Sequence, residues 1–61
     1  HMSLKEFRDN LGLTQNQMAD EIGVSKSYYS KVESGFQKPS FEFLRKLKSR
    51  FSDVDIDEMF F

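Results

Sequence analysis

The side chains here that could do covalent chemistry are few and poorly placed for it. There is no cysteine, so thiolate nucleophiles, disulfides and cysteine-ligated metals are absent. The single histidine, His1, precedes Met2 and reads as a vector remnant, with no second imidazole to complete a metal site. No serine has a histidine base or a glycine-rich elbow beside it. Asp53, Asp55, Asp57 and Glu58 crowd together but lack the glycine and spacing of a calcium loop, so they read as helix capping and solvated charge. No catalytic residue, metal or cofactor is expected, and an enzyme is the least favoured class. What remains is non-covalent: Lys26, Ser27, Ser30 and Lys31 gather ammonium and hydroxyl donors suited to anionic oxygens.

Size and charge set bounds on those donors. Sixty-one residues make one small domain, since ordinary domains run ~100–200 residues. Residues 1–2 read as a start or vector remnant and residues 3–61 as the domain. With 38% hydrophobic and 31% charged residues the chain is globular rather than disordered. No apolar run approaches the ~20 residues of a spanning helix and no signal-peptide pattern opens the chain, so the expected setting is cytoplasmic and off the membrane. The net charge of −1 hides a division: residues 1–52 hold all nine Lys and Arg against six acids, and the last nine residues carry the other four acids. That excess permits a polyanionic partner without demanding one.

The elements that must position these donors are helices, because capping signals recur along the chain and strand alternation does not. Ser3 with Glu6 forms a capping box ahead of the stripe Leu4, Phe7 and Leu11, and Gly12 ends that helix. Thr14 with Gln17 opens a second helix carrying Met18, Ala19 and Ile22, ending at Gly23. Ser25 caps a third, over 25–34, whose Tyr29 and Val32, with Phe36 just past its end, should face inward. Pro39 bars helix through the following loop. Ser40 caps a fourth with Phe41, Leu44, Leu47 and Phe51 at helical spacing, and Asp55 with Glu58 can cap closing turns through Met59, Phe60 and Phe61. The expectation is an all-α fold of five short helices.

The stretch Gln15–Ser34 carries the most information. Two short helices joined by Gly23, Val24 and Ser25 cannot lie antiparallel across so brief a connection; they cross steeply, with Ala19 as the small contact residue and Gly23 free to take positive φ. That is a helix-turn-helix arrangement. A wheel of the third helix at about 100° per residue centres its buried side near ~320° with Tyr29 at zero. The opposite side, near ~140°, holds Ser34, Ser27, Ser30 and Lys31, flanked by Lys26 and Tyr28, and no carboxylate points outward because Glu33 falls on the flank near ~40°. Such a face can approach phosphates and base edges without like-charge repulsion.

Arg8 and Gly12, the run LTQNQMADEIGVS, then Val32, Glu33, Gly35, Pro39, Ser40 and Leu44 give the sequence its resemblance to the λ-repressor and Cro type of helix-turn-helix domain. The closing DIDEMF looks like that family's fifth helix, so the resemblance covers nearly the whole chain. It implies a compact five-helix DNA-binding module with the helix-turn-helix at helices two and three, acting as a sequence-specific transcriptional regulator of the phage or bacterial repressor kind. Lys26, Ser27 and Lys31 match positions where the family reads bases in the major groove. Gln15 resembles the residue that holds a phosphate and braces the recognition helix; Ser25, Tyr28, Ser30 and Lys38 are the other candidate backbone contacts, Lys38 in the loop that clamps the backbone. Arg8 and Glu33 resemble a semi-buried structural ion pair. Tyr29 departs from the aliphatic residue usual at its position and should be core, with its hydroxyl at the rim.

Each reading has a plainer alternative. Two surface lysines can be merely solubilising, Gln15 an ordinary capping-region glutamine, and Lys38 a solvated loop residue. Met59, Phe60 and Phe61 either close the core or form a dimer contact; seven Phe in so small a chain tilt the reading toward a partner surface. A homodimer on a palindromic operator also suits a single recognition helix that reads only a few base pairs, with half-sites one turn, ~34 Å, apart. The alternative function, from another class, is a helix-turn-helix protein-interaction module such as an antitoxin or adaptor with weak DNA binding.

Overall fold

Four hydroxyls and one carboxylate set where the chain turns helical. Ser3, Thr14, Ser25, Ser40 and Asp55 each sit in extended backbone and accept a hydrogen bond from the N–H three residues on, at 3.0–3.1 Å. Two of the caps are reciprocal, Glu6 and Gln17 each accepting the cap residue's own N–H at 2.9 Å. The elements that follow, in a computed structural model describing residues 2–61, are α1 (Leu4–Leu11), α2 (Gln15–Ile22), α3 (Lys26–Ser34), α4 (Phe41–Arg50) and α5 (Ile56–Phe60). The reading of His1 as a vector remnant lies outside the described residues. Among those residues there is no strand, as expected of an all-α chain.

The helices close around Leu4, Met18, Ala19, Ile22, Tyr29, Val32, Phe43, Leu47 and Val54, within 23 × 23 × 20 Å. Phe43 is the hub: Tyr28 and Phe60 meet it edge-on at ring separations of 5.7 and 6.4 Å, and Tyr29 lies tilted at 6.3 Å. Phe7 and Phe51 form a second edge-on pair at 5.5 Å, joining α1 to the end of α4. No buried side-chain N or O among the described residues lacks a partner. No described helix is long and apolar enough to cross a membrane.

Several apolar residues sit differently from expectation. Phe36 is 89% exposed because Gly35, at φ 89°, turns the chain off the axis of α3 before the wheel could carry Phe36 inward. Phe41 is 81% exposed, and Phe43 takes the buried place instead. As the first residue of α4, Phe41 lies roughly 110° from the centre of the arc shared by Phe43, Leu44, Leu47 and Phe51. Leu11 is exposed at the end of α1, and Val54, in the turn between α4 and α5, is buried. At the chain's end, Met59 and Phe60 pack against the core, which corrects the reading of all three terminal residues as partner surface; only Phe61 stands free.

Candidate nucleic-acid interface

The crossing of α2 and α3 rests on the carbonyl of Ala19. It accepts from both Gly23 N–H, at 2.8 Å, and Val24 N–H, at 3.0 Å, which winds the turn tightly. Gly23 sits at φ 91°, where a Cβ would be strained. Ala19 is buried and its small side chain lets the helices approach. Lys46 adds a strap from α4, its Nζ donating to the Gly23 carbonyl at 3.3 Å. Ser25, exposed, caps α3 and aims the first amides of that helix outward.

Tyr29 and Val32 point α3 into the core, which turns its other side to solvent. Lys26, Ser27 and Lys31 are exposed together on that side, and Ser30 is half-buried beside them. None of the three lysines Lys26, Lys31 and Lys38 joins an ion pair among the described residues, and Lys38 is exposed in the loop beyond. Ser34 is also exposed, but its hydroxyl donates to the Lys31 carbonyl at 3.2 Å.

Glu33, the only acid of α3, is turned away from this face. Its Oε2 accepts from Arg8 Nε at 2.9 Å and from the Tyr29 hydroxyl at 2.6 Å. Its Oε1 accepts from Arg8 Nη2 at 3.2 Å and Gln15 Nε2 at 2.9 Å. Arg8 Nη1 completes the knot by donating to the Leu13 carbonyl at 2.8 Å. The Arg8 and Glu33 side chains are only 12% and 4% exposed. Burial pushes the Glu33 carboxyl upward, but the bonds from Arg8, Tyr29 and Gln15 outweigh it and hold the group below its ordinary range. The same bond to Glu33 holds the Arg8 guanidinium above its ordinary value against a smaller cost of burial. Burial, and then donation to Glu33, push the Tyr29 phenol well above its usual range.

Two expected contact residues are engaged inside the protein. Gln15 spends one amide N–H on Glu33, so it braces α2 to α3 and keeps only its second N–H for another acceptor. Tyr28 is the larger correction. Its hydroxyl accepts Ser40 N–H at 3.0 Å and lies 3.3 Å from Ser40 Oγ, while its ring packs on Phe43. The phenol therefore ties α3 to the start of α4 rather than standing free for a phosphate. Tyr29 keeps its expected place in the core, but its hydroxyl is buried in the Glu33 knot instead of sitting at the rim. Its spacing of four from Glu33 was the available signal. The Tyr28–Ser40 and Lys46–Gly23 ties span 12 and 23 residues and leave no local trace.

Two short helices crossed over a glycine turn, the second with its basic, hydroxylic side bared, define a helix-turn-helix domain. The Helix-turn-helix family model matches residues 4–59, and the chain belongs to that family, in its XRE-type branch. It is similar to the HTH-type transcriptional regulator SlrR of Bacillus subtilis, 41% identical over 93% of this chain and 38% of that protein. It is similar also to the cryptic phage CTXphi transcriptional repressor RstR of Vibrio cholerae, 44% identical over 92% of this chain and 49% of that protein. The HTH-type transcriptional regulator SinR of Bacillus subtilis is 36% identical over 75% of this chain and 42% of its own length. The chain thus spans half or less of the length of these curated relatives. No solved structure matches it significantly.

Proposed function

We propose that this domain binds double-stranded DNA with sequence preference as the reading head of a cytoplasmic transcriptional regulator, of the repressor kind. In this reading α3 enters the major groove, where Lys26, Ser27 and Lys31 meet base edges. Ser25 and the first amides of α3, Ser30, the free amide N–H of Gln15, and Lys38 hold the phosphates. One observation carries the proposal: the sole carboxylate of α3 is bound inward by three side chains, which leaves two unpaired ammonium groups and no acid on the exposed side. Being named regulators, the relatives support the same reading. A single helix reads few base pairs, so two copies on a palindromic operator are proposed as the working unit.

Fluorescence-anisotropy titration against duplexes selected from a random pool tests this directly. Affinity should fall steeply with salt, because each phosphate neutralised releases condensed counterions at a slope of about −0.9. Lys26→Ala with Lys31→Ala should weaken binding and relax the selected sequence; a domain that ignores DNA even at low salt refutes the proposal.

A further inference from the structure

Isolated exposed apolar side chains are ordinary on soluble proteins and require no partner. Phe36 differs in how it is held and in what surrounds it. Gly35 N–H donates to the Val32 carbonyl and Gln37 N–H to the Lys31 carbonyl, both at 3.2 Å, so the backbone on each side of Phe36 is pinned to the last turn of α3. Farther along, Pro39 is locked in φ and Ser40 N–H is held by the Tyr28 hydroxyl. The ring is therefore presented outward by a braced loop, and it has no aromatic partner, whereas Phe7, Phe43, Phe51 and Phe60 each have one. Its charged neighbours along the chain are Lys31 and Lys38, both exposed and unpaired among the described residues. The nearest acid, Glu33, is turned inward to Arg8.

A fixed apolar ring bracketed by two free ammonium groups suits a surface that alternates anionic and apolar patches. The sugar–phosphate backbone of DNA is such a surface, with apolar deoxyribose edges between its phosphates. We propose that Phe36 packs against a deoxyribose edge of the strand whose phosphates Lys31 and Lys38 hold, adding a sequence-independent apolar contact. The inference rests on the DNA reading given above. It assigns to Phe36 a part in affinity but none in base choice. A protein partner or a second copy would have no need of two unpaired cations around the ring.

The test uses the full chain and its Phe36→Ala, Phe36→Leu, Lys38→Ala and Lys26→Ala/Lys31→Ala variants. Anisotropy is read on a fluorescein-labelled selected duplex and on its scrambled counterpart, over about 50–200 mM salt. Phe36→Ala should weaken both duplexes by about tenfold, with an unchanged slope of log affinity on log salt, since no charge is lost. Phe36→Leu should retain most of the affinity, and Lys38→Ala should reduce the slope by about 0.9. Thermal unfolding of Phe36→Ala should match the parent, the side chain being 89% exposed. Binding by Phe36→Ala equal to the parent, while Lys26→Ala/Lys31→Ala loses it, overturns this contact and leaves the DNA reading standing. A Phe36→Ala change seen only in sedimentation assigns the ring to a second copy and overturns the inference too. Failure of the parent to bind either duplex removes the DNA reading itself.

Discussion

Arg8, Gln15, Tyr29 and Glu33 come from three helices, and their side chains converge on one carboxylate. A charge 4% exposed is tolerable only because four bonds replace its water, and taking away one ionic partner strands the other. Arg8→Met should therefore cost about 3–5 kcal/mol in urea unfolding, far beyond an exposed pair such as Lys5–Asp9, for which Lys5→Met should cost less than about 1 kcal/mol. The sign of the pH dependence follows from the lowered Glu33 carboxyl. The folded domain binds fewer protons there than the unfolded chain does, so the stabilisation is complete above the ordinary value of 4.5 and is lost as pH falls through the lower folded value. Glu6 and Glu42 are also held low, by the Ser3 and Arg45 hydrogen bonds respectively, but both are fully exposed and contribute weakly. Glu33→Gln should then lower the melting temperature near neutrality and flatten its decline below about pH 4.5. An acid limb as steep as the parent's would place the titrating group elsewhere.

At the scale of elements, local rules place the helices and non-local ties set their attitude. Ser3, Thr14, Ser25 and Ser40 were legible in the sequence because a cap and the residue that bonds it lie three positions apart. The Gly23 turn was legible for the same reason, and the pairing of Arg8 with Glu33 came from resemblance to a known family. Phe36, Phe41 and Val54 were not legible, because their exposure depends on where a left-handed residue or a helix start redirects the chain. The hydroxyl tie from Tyr28 to Ser40 and the Arg50–Glu21 pair, 2.6 Å across α4 and α2, join residues remote in sequence. Gly23 separates strain from clash. A Cβ built there meets nothing within 4 Å, so Gly23→Ala suffers only the backbone cost of φ 91°, about 1–2 kcal/mol. Gly23→Asn should recover part of that loss, since asparagine tolerates the left-handed region. Chemical denaturation of the two variants checks this order. Equal losses would mean that the turn relaxes out of the left-handed conformation and tilts α3, which a parallel loss of DNA affinity would reveal.

Across the whole molecule, the charge is divided between an excess of three positive charges in residues 1–52 and four acids in the last nine residues. The extents of about 23 Å are larger than the screening length of ~10 Å at 0.1 M salt but smaller than the ~30 Å reached at 0.01 M. If α3 faces DNA and the acidic end faces away, the acids act on the duplex only when salt is scarce. Asp53→Asn, Asp57→Asn and Glu58→Gln can be combined without removing the cap of α5, because Asp55 supplies it. The triple variant should bind DNA several-fold more tightly than the parent near 0.01 M salt and within about twofold of it near 0.15 M, where the screening length is ~8 Å. Anisotropy at the two salt concentrations reads the difference directly. A gain that persists at the higher concentration would put these carboxylates within reach of the phosphates, and the docking of α3 in the groove would have to be turned to bring α5 toward the duplex.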